Sequence, residues 1–297
     1  MSRGYSGRSD RNAASPAQPR SYIEDLSEYT SASGPYSCPS NTDRSDPNAS
    51  GKGRNYNIYP NVMMPMMLPI DKPVYAYNGD PPITNTGDIL ARIIARGMFS
   101  ARYVPHLIYS SPALRCLQTA NAIRSILKCE AKIRVEPALF ENMWLYPNGL
   151  PDLPSPGQRA QFHVDEGYRP YMQISDLLKG QETPADYNQR IRNILMHIAR
   201  IHEVSPVKKD QIVLIVAHAS TVDLAAGHLA RHRKSSAEEI EQSRERIPCG
   251  SLLILERVQG RRGWTPNLYA IPKMSYADQS TEFDSTFVLR EPVKVQK

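Results

Sequence analysis

The sequence predicts a three-layer α/β domain, a mostly parallel sheet with helices on both faces. Short apolar runs at Leu107–Tyr109, Ile133–Val135 and Gln211–Ala217 alternate with longer stretches of helical periodicity, the order that gives parallel strands with crossover helices. Gln211–Ala217 (QIVLIVA) is unbroken in its apolar character, as expected for a strand in the middle of a parallel sheet. Ser110–Ile123 (SSPALRCLQTANAI) passes from an apolar run through a tight polar loop into a pattern with Leu114, Leu117, Ala120 and Ile123 about three residues apart. No internal repeat is present.

In chain order, residues 1–55 are rich in Ser, Asn, Pro, Gly and charge, with Ile23 and Leu26 as their large aliphatics. Such a segment buries too little apolar surface to offset the entropy of ordering, so a disordered tail is expected. Its tyrosines (Tyr5, Tyr22, Tyr29, Tyr36) are candidate modification or contact sites. A folded domain is expected over 56–272. Tyr56–Ile70 is Met-rich and broken by proline, and reads as a loop packed on the domain. Asp80–Thr84 leads into a helix capped by Thr84 or Thr86, with Ile89, Leu90, Ile93 and Ile94 as its stripe and Gly97 as its end. Glu141 stands in a loop just past the strand Ile133–Val135.

Leu150–Lys179 carries many Pro and Gly and reads as irregular. Pro184–Val204 is a strong amphipathic helix opened by Pro184. His218 ends the apolar strand Gln211–Ala217, and a helix follows from Thr221 to about Ala230. Ser251–Val258 and Trp264–Ala270 read as a terminal hairpin, and 273–297 as a loose tail.

Ser111 and Pro112 stand where a helix should start, a hydroxyl cap followed by a residue that needs no N–H. Arg115 then falls in the first turn. A helix N-terminus offers unpaired N–H groups and partial positive charge, and a guanidinium beside it grips two oxyanion oxygens at once. An Arg solvating an exposed first turn fits the spacing as well.

Composition excludes several classes. Apolar residues make up 40% of the chain, enough for a core. No apolar run spans a membrane, the N-terminus has no apolar segment of a signal peptide, and cytoplasmic location is the expectation. Four scattered cysteines form no CxxC pair, which argues against a zinc site and a disulfide framework. Residues 1–55 hold 7 Lys and Arg against 6 Asp and Glu, so nearly all of the net charge of +6 belongs to the domain. That mild excess suits anionic ligands and is no nucleic-acid signature. The run Arg231–Lys234 reads as a solvated basic loop. No cofactor or metal is expected.

SPALRCLQTA, from Ser111, resembles a motif of the histidine phosphatase (phosphoglycerate-mutase-like) superfamily, most of all the branch of the suppressor-of-T-cell-receptor-signalling phosphatases. DPPITNTG (from Asp80), IRVEPALFE (to Glu141), YRPYMQISDLL (from Tyr168), IVLIVAHAS (to Ser220) and RIPCGSLLILE (from Arg246) agree with it in order. The resemblance implies that Arg115 and His218 hold phosphoryl oxygens and that Glu141 donates the leaving-group proton. It implies an insertion over the site's mouth at Leu150–Lys179, a phosphorylated ligand or protein as partner, and a tendency to dimerise.

One part of the pattern is missing. The family's nucleophile is a His in an Arg-His-Gly motif on the first, central strand. The first His of this sequence is His106, and no apolar strand precedes the Pro- and Met-rich stretch. The implied catalytic role of Glu141 and His218 is therefore vestigial, and the fold is expected with its first central strand missing or replaced. Val74–Tyr77 is the candidate replacement. The resulting expectation is a catalytically degenerate phosphatase domain with a residual phosphate pocket and a scaffold or regulatory role. The alternative is an active phosphomonoesterase using His106 or His163.

Overall fold

The structure, a computed structural model, describes residues 65, 68–178, 181–203, 211–257 and 263–292. The tail expected over 1–55 and most of the Met-rich stretch lie outside the described residues. Helix α1 (Asn85–Ser100) starts at Thr84, whose side chain accepts the Gly87 N–H at 3.0 Å. Gly97 does not end it, contrary to expectation. The residue is buried inside the helix, and a Cβ there would collide with Met274 Sδ, so this glycine serves close packing.

Strand β1 (Leu107–Ser110), helix α2 (Leu114–Leu127) and strand β2 (Ile133–Val135) follow. Next come the single turn α3 (Pro156–Arg159), the long helix α4 (Pro184–Glu203), strand β3 (Val213–Val216) and helix α5 (Ala219–Ala225), which continues into a π-helical turn (Ala226–Arg231). Helix α6 (Ala237–Arg246) precedes two small antiparallel pairs, β4 (Leu255–Glu256) with β5 (Thr265–Pro266) and β6 (Ser275–Tyr276) with β7 (Gln279–Ser280). A last turn, α7, covers Ser285–Val288.

The main sheet is parallel, ordered β2–β1–β3, with Ile108 opposite both Ile133 and Leu214. Its side chains alternate between two cores. Ile108, Ile133 and Leu214 pack with Leu90, Ile94 and Leu117 of α1 and α2. Tyr109, with Leu107 and Val213 beside it, packs with Ile194 and Ile198 of α4 on the other face. Each fully buried aliphatic side chain contributes about 1.5–3 kcal/mol, so these two layers hold the strands in register.

The apolar strand expected in the middle of the sheet is an edge strand among the described residues. β3 pairs with β1 alone, and Val213, Ile215 and Val216 stay only partly buried. Val74–Tyr77 does not replace the absent neighbour. It forms one 3-10 turn, with Tyr77 buried and its hydroxyl donating to the Ile70 carbonyl at 2.6 Å. Pro73 at φ −56° leads into that turn.

The C-terminal region differs from a loose tail as far as it is described. Val288 is fully buried, and the Arg290 guanidinium reaches the Asp223 carboxylate at 2.7 Å. Arg233 is also no solvated loop residue: it is buried and pairs with the same carboxylate at 2.8 Å. One buried carboxylate needing compensation draws both cations inward.

Candidate active site

The carboxyl ends of all three parallel strands converge, the place where open α/β sheets bind ligands. β1 delivers Ser111 and α2, β2 delivers the Glu136–Glu141 loop, and β3 delivers His218. Helix α2 starts later than its Ser-Pro signal predicts. Ala113 is the N-cap residue and offers no side-chain cap. The cap comes from far away in sequence: Asp80 Oδ1 accepts the Leu114 N–H at 2.8 Å. Ser111 is thereby free for another partner, and its Oγ meets His218 Nε2 at 2.9 Å.

Arg115, Glu141 and His218 come together as the motifs predict. Arg115 Nη2 donates to Glu141 Oε1 at 2.5 Å and to His218 Nδ1 at 3.3 Å, and Nη1 faces Asp80 Oδ1 at 3.5 Å. The Tyr146 hydroxyl donates to the same Glu141 oxygen at 2.5 Å. A guanidinium only donates, so His218 Nδ1 must accept, and Nε2–H donates to Ser111. The network thus assigns a neutral ring with its proton on Nε2.

The electrostatics agree. Burial pushes His218 down to about 3; Glu141 opposes this, while Arg115, Arg190 and Arg244 add to it. Burial alone would raise Glu141, but the Arg115 guanidinium and the Tyr146 hydroxyl, both donating to its charged form, hold its carboxyl below the usual range. As folded, Glu141 is an ionised partner of Arg115, where the motif implies a proton donor.

Two buried residues outside the predicted set shape the site. Arg190 of α4 donates Nη1 to the Ala138 and Phe140 carbonyls at 2.9 and 2.7 Å, and grips Glu182 at 2.6 and 2.9 Å. It therefore fixes the loop that carries Glu141. Glu136 accepts from Ala138 N at 3.0 Å, the Tyr168 hydroxyl at 2.7 Å and Tyr171 N at 2.8 Å, tying the irregular 150–178 segment to that loop.

Neither alternative nucleophile reaches the centre. His106 Nδ1 accepts the Ile212 N–H at 3.1 Å, at the amino ends of the strands. His163 is exposed, and its carbonyl accepts the Ile133 N–H at 3.1 Å. Among the described residues, no group of three His, Cys, Asp or Glu could hold a metal ion, and no helix is long and apolar enough to cross a membrane.

A cation, a neutral His and a carboxylate at the carboxyl ends of a parallel sheet define the class: an α/β domain with a candidate oxyanion pocket. The chain belongs to the histidine phosphatase superfamily (branch 1), whose family model matches residues 71–264. It is 31% identical over 203 residues to an ecdysteroid-phosphate phosphatase of Drosophila melanogaster, covering 66% of this chain and 26% of that one. It is 34% identical over 204 residues to the ubiquitin-associated and SH3 domain-containing protein B of Homo sapiens, covering 66% and 30%. The chain thus spans under a third of the length of these curated relatives. Among solved structures, the silkworm ecdysone phosphate phosphatase in complex with tungstate superposes with a TM-score of 0.54 at 24% identity, over 77% of this chain and 87% of that one. That likeness supports the three-layer parallel fold.

Proposed function

We propose that this polypeptide binds phosphorylated ligands through Arg115 and His218 and does not turn them over. One observation carries the reading: no His stands between Met1 and Pro105, and the two histidines named as substitutes point elsewhere. A covalent phosphoryl route needs a nucleophile in line with the pocket. His218 is a poor replacement, since its Nδ1 already accepts from Arg115 and its Nε2–H is engaged by Ser111. Removing an essential member of such a set costs several powers of ten in rate. A binding protein of this kind acts as a scaffold or regulator of a phosphorylated protein or small molecule, alone or as a homodimer, in the cytoplasm.

The second reading is an active phosphomonoesterase, favoured by the identity to a relative named as an ecdysteroid-phosphate phosphatase. Hydrolysis of p-nitrophenyl phosphate by the purified chain separates the two. The binding reading expects no turnover above buffer. Turnover that disappears in both Arg115→Ala and His218→Ala contradicts it.

A further inference from the structure

Asp80 is a carboxylate with no exposed surface, set against the amino end of α2. Its Oδ1 accepts from Leu114 N at 2.8 Å and faces Arg115 Nη1 at 3.5 Å. Its Oδ2 has no hydrogen-bond partner and stands 3.9 Å from Lys72 Nζ. Lys72 is itself held in place, donating to the Asp152 carbonyl at 2.8 Å and lying over the Tyr77 ring. Arg159, half-buried in the 150–178 segment, and the Asp152 carboxylate complete the charges that act on Asp80. Buried Cys116 and Tyr77 are its neutral titratable neighbours.

We propose that Asp80 is a positioning residue, the built-in counter-ion that competes with an incoming oxyanion for Arg115, so that its charge state sets the affinity of the site. This rests on the reading of Arg115 as an oxyanion holder. While ionised, Asp80 offsets part of the guanidinium charge and of the positive end of α2. A tetrahedral oxyanion on Arg115 brings a second negative charge close to a carboxylate that water cannot screen. Like charges so placed make one group take a proton. Oδ2, which accepts no hydrogen bond, takes that proton without breaking any.

The remaining pocket groups keep their charge near neutral pH. Glu141 is held ionised, His218 is held neutral, and burial keeps the Tyr146 hydroxyl and the Cys116 thiol protonated. Burial raises Asp80 to about 6, against the pull of the Leu114 N–H, Arg115 and Lys72. Asp80 is therefore the pocket group that changes charge between pH 5 and 8.

The test is calorimetric titration of the full chain with sulfate, whose own charge is constant over pH 5–8. Wild type is expected to bind about tenfold more tightly at pH 5 than at pH 8, the factor given by a one-unit rise in the carboxyl pKa on binding. Asp80→Asn keeps an oxygen for the Leu114 N–H and is expected to bind at every pH with the wild-type affinity of pH 5. A wild-type affinity that is flat with pH overturns the proposal, as does a slope that persists in Asp80→Asn. Should that variant not fold, the wild-type profile decides. Arg115→Ala locates the binding. Absence of sulfate binding at any pH contradicts the pocket itself, an outcome distinct from a flat profile.

Discussion

Arg115 and Glu141 form a hydrogen-bonded ion pair 2.5 Å long, so the cation of the pocket is already engaged before any ligand arrives. An oxyanion must displace a carboxylate that Tyr146 also holds. Neutralising that carboxylate in Glu141→Gln is expected to tighten vanadate binding about tenfold, equivalent to about 1.4 kcal/mol. Arg115→Lys is expected to weaken it, since an ammonium cannot grip two oxygens at once. Thermal-shift titration with vanadate measures both, and unchanged affinity in Glu141→Gln would contradict the competition.

His218 and Asp80 tilt stability against pH in opposite directions. His218 is held near 3 in the fold against 6.5 as its ordinary value, so between these values the unfolded chain carries a proton that the folded chain lacks. Its contribution is fully present above about pH 6.5 and is lost as pH falls towards 3. Asp80 is raised to about 6 from 3.8, so the folded chain holds the extra proton, and stability falls as pH rises through that window. Urea unfolding between pH 4 and 7 is expected to show a shallower acid loss in His218→Gln. In Asp80→Asn the gain relative to wild type should grow as pH rises, by about 2–3 kcal/mol.

Arg190 is a structural pin: its loss leaves the Ala138, Phe140 and Glu141 carbonyls without this donor and Glu182, which still accepts the Met143 N–H at 3.0 Å, without its cation. Breaking a buried pair from one side costs about 3–5 kcal/mol. Arg190→Ala is expected to lose that much in urea unfolding and to raise hydrogen exchange in the 138–141 loop. A change within about 0.5 kcal/mol would show that the pin is not needed.

Arg290 ties the C-terminal segment to Asp223 and to Glu239 of α6, each at 2.7 Å. Arg290→Ala is expected to increase hydrogen exchange across 285–290 and to cost about 1–3 kcal/mol. Exchange identical to wild type would restore the picture of a free tail.

Arg115, Glu141 and His218 were legible because each lies in a contiguous motif at a strand end, where local pattern and topology agree. Asp80 also lies in a quoted motif, but its cap on Leu114 joins residues 34 apart in sequence. Arg190 meets Phe140 across 50 residues, so its helical periodicity marks only a face and reveals no partner. The Ser-Pro signal mislocated the start of α2 because Asp80 caps the helix at Leu114, while the Ser111 hydroxyl meets His218 and accepts the Ala113 N–H at 3.4 Å, one residue ahead of the helix. Gln211–Ala217 reads as a central strand because its apolar run is unbroken, yet it pairs with β1 alone among the described residues, since apolarity does not say which strands lie beside it. The basic run 231–234 hid Arg233 because its charge is satisfied by Asp223, ten residues earlier.

The central claim, a phosphate pocket without a phosphoryl acceptor, is tested most directly by intact-protein mass spectrometry. The purified chain is mixed with p-nitrophenyl phosphate and quenched in alkali, which preserves phosphohistidine. The account predicts an unchanged mass, with the chain nonetheless stabilised by vanadate. A mass gain of one phosphoryl group, mapped to a histidine and absent in Arg115→Ala, would contradict it.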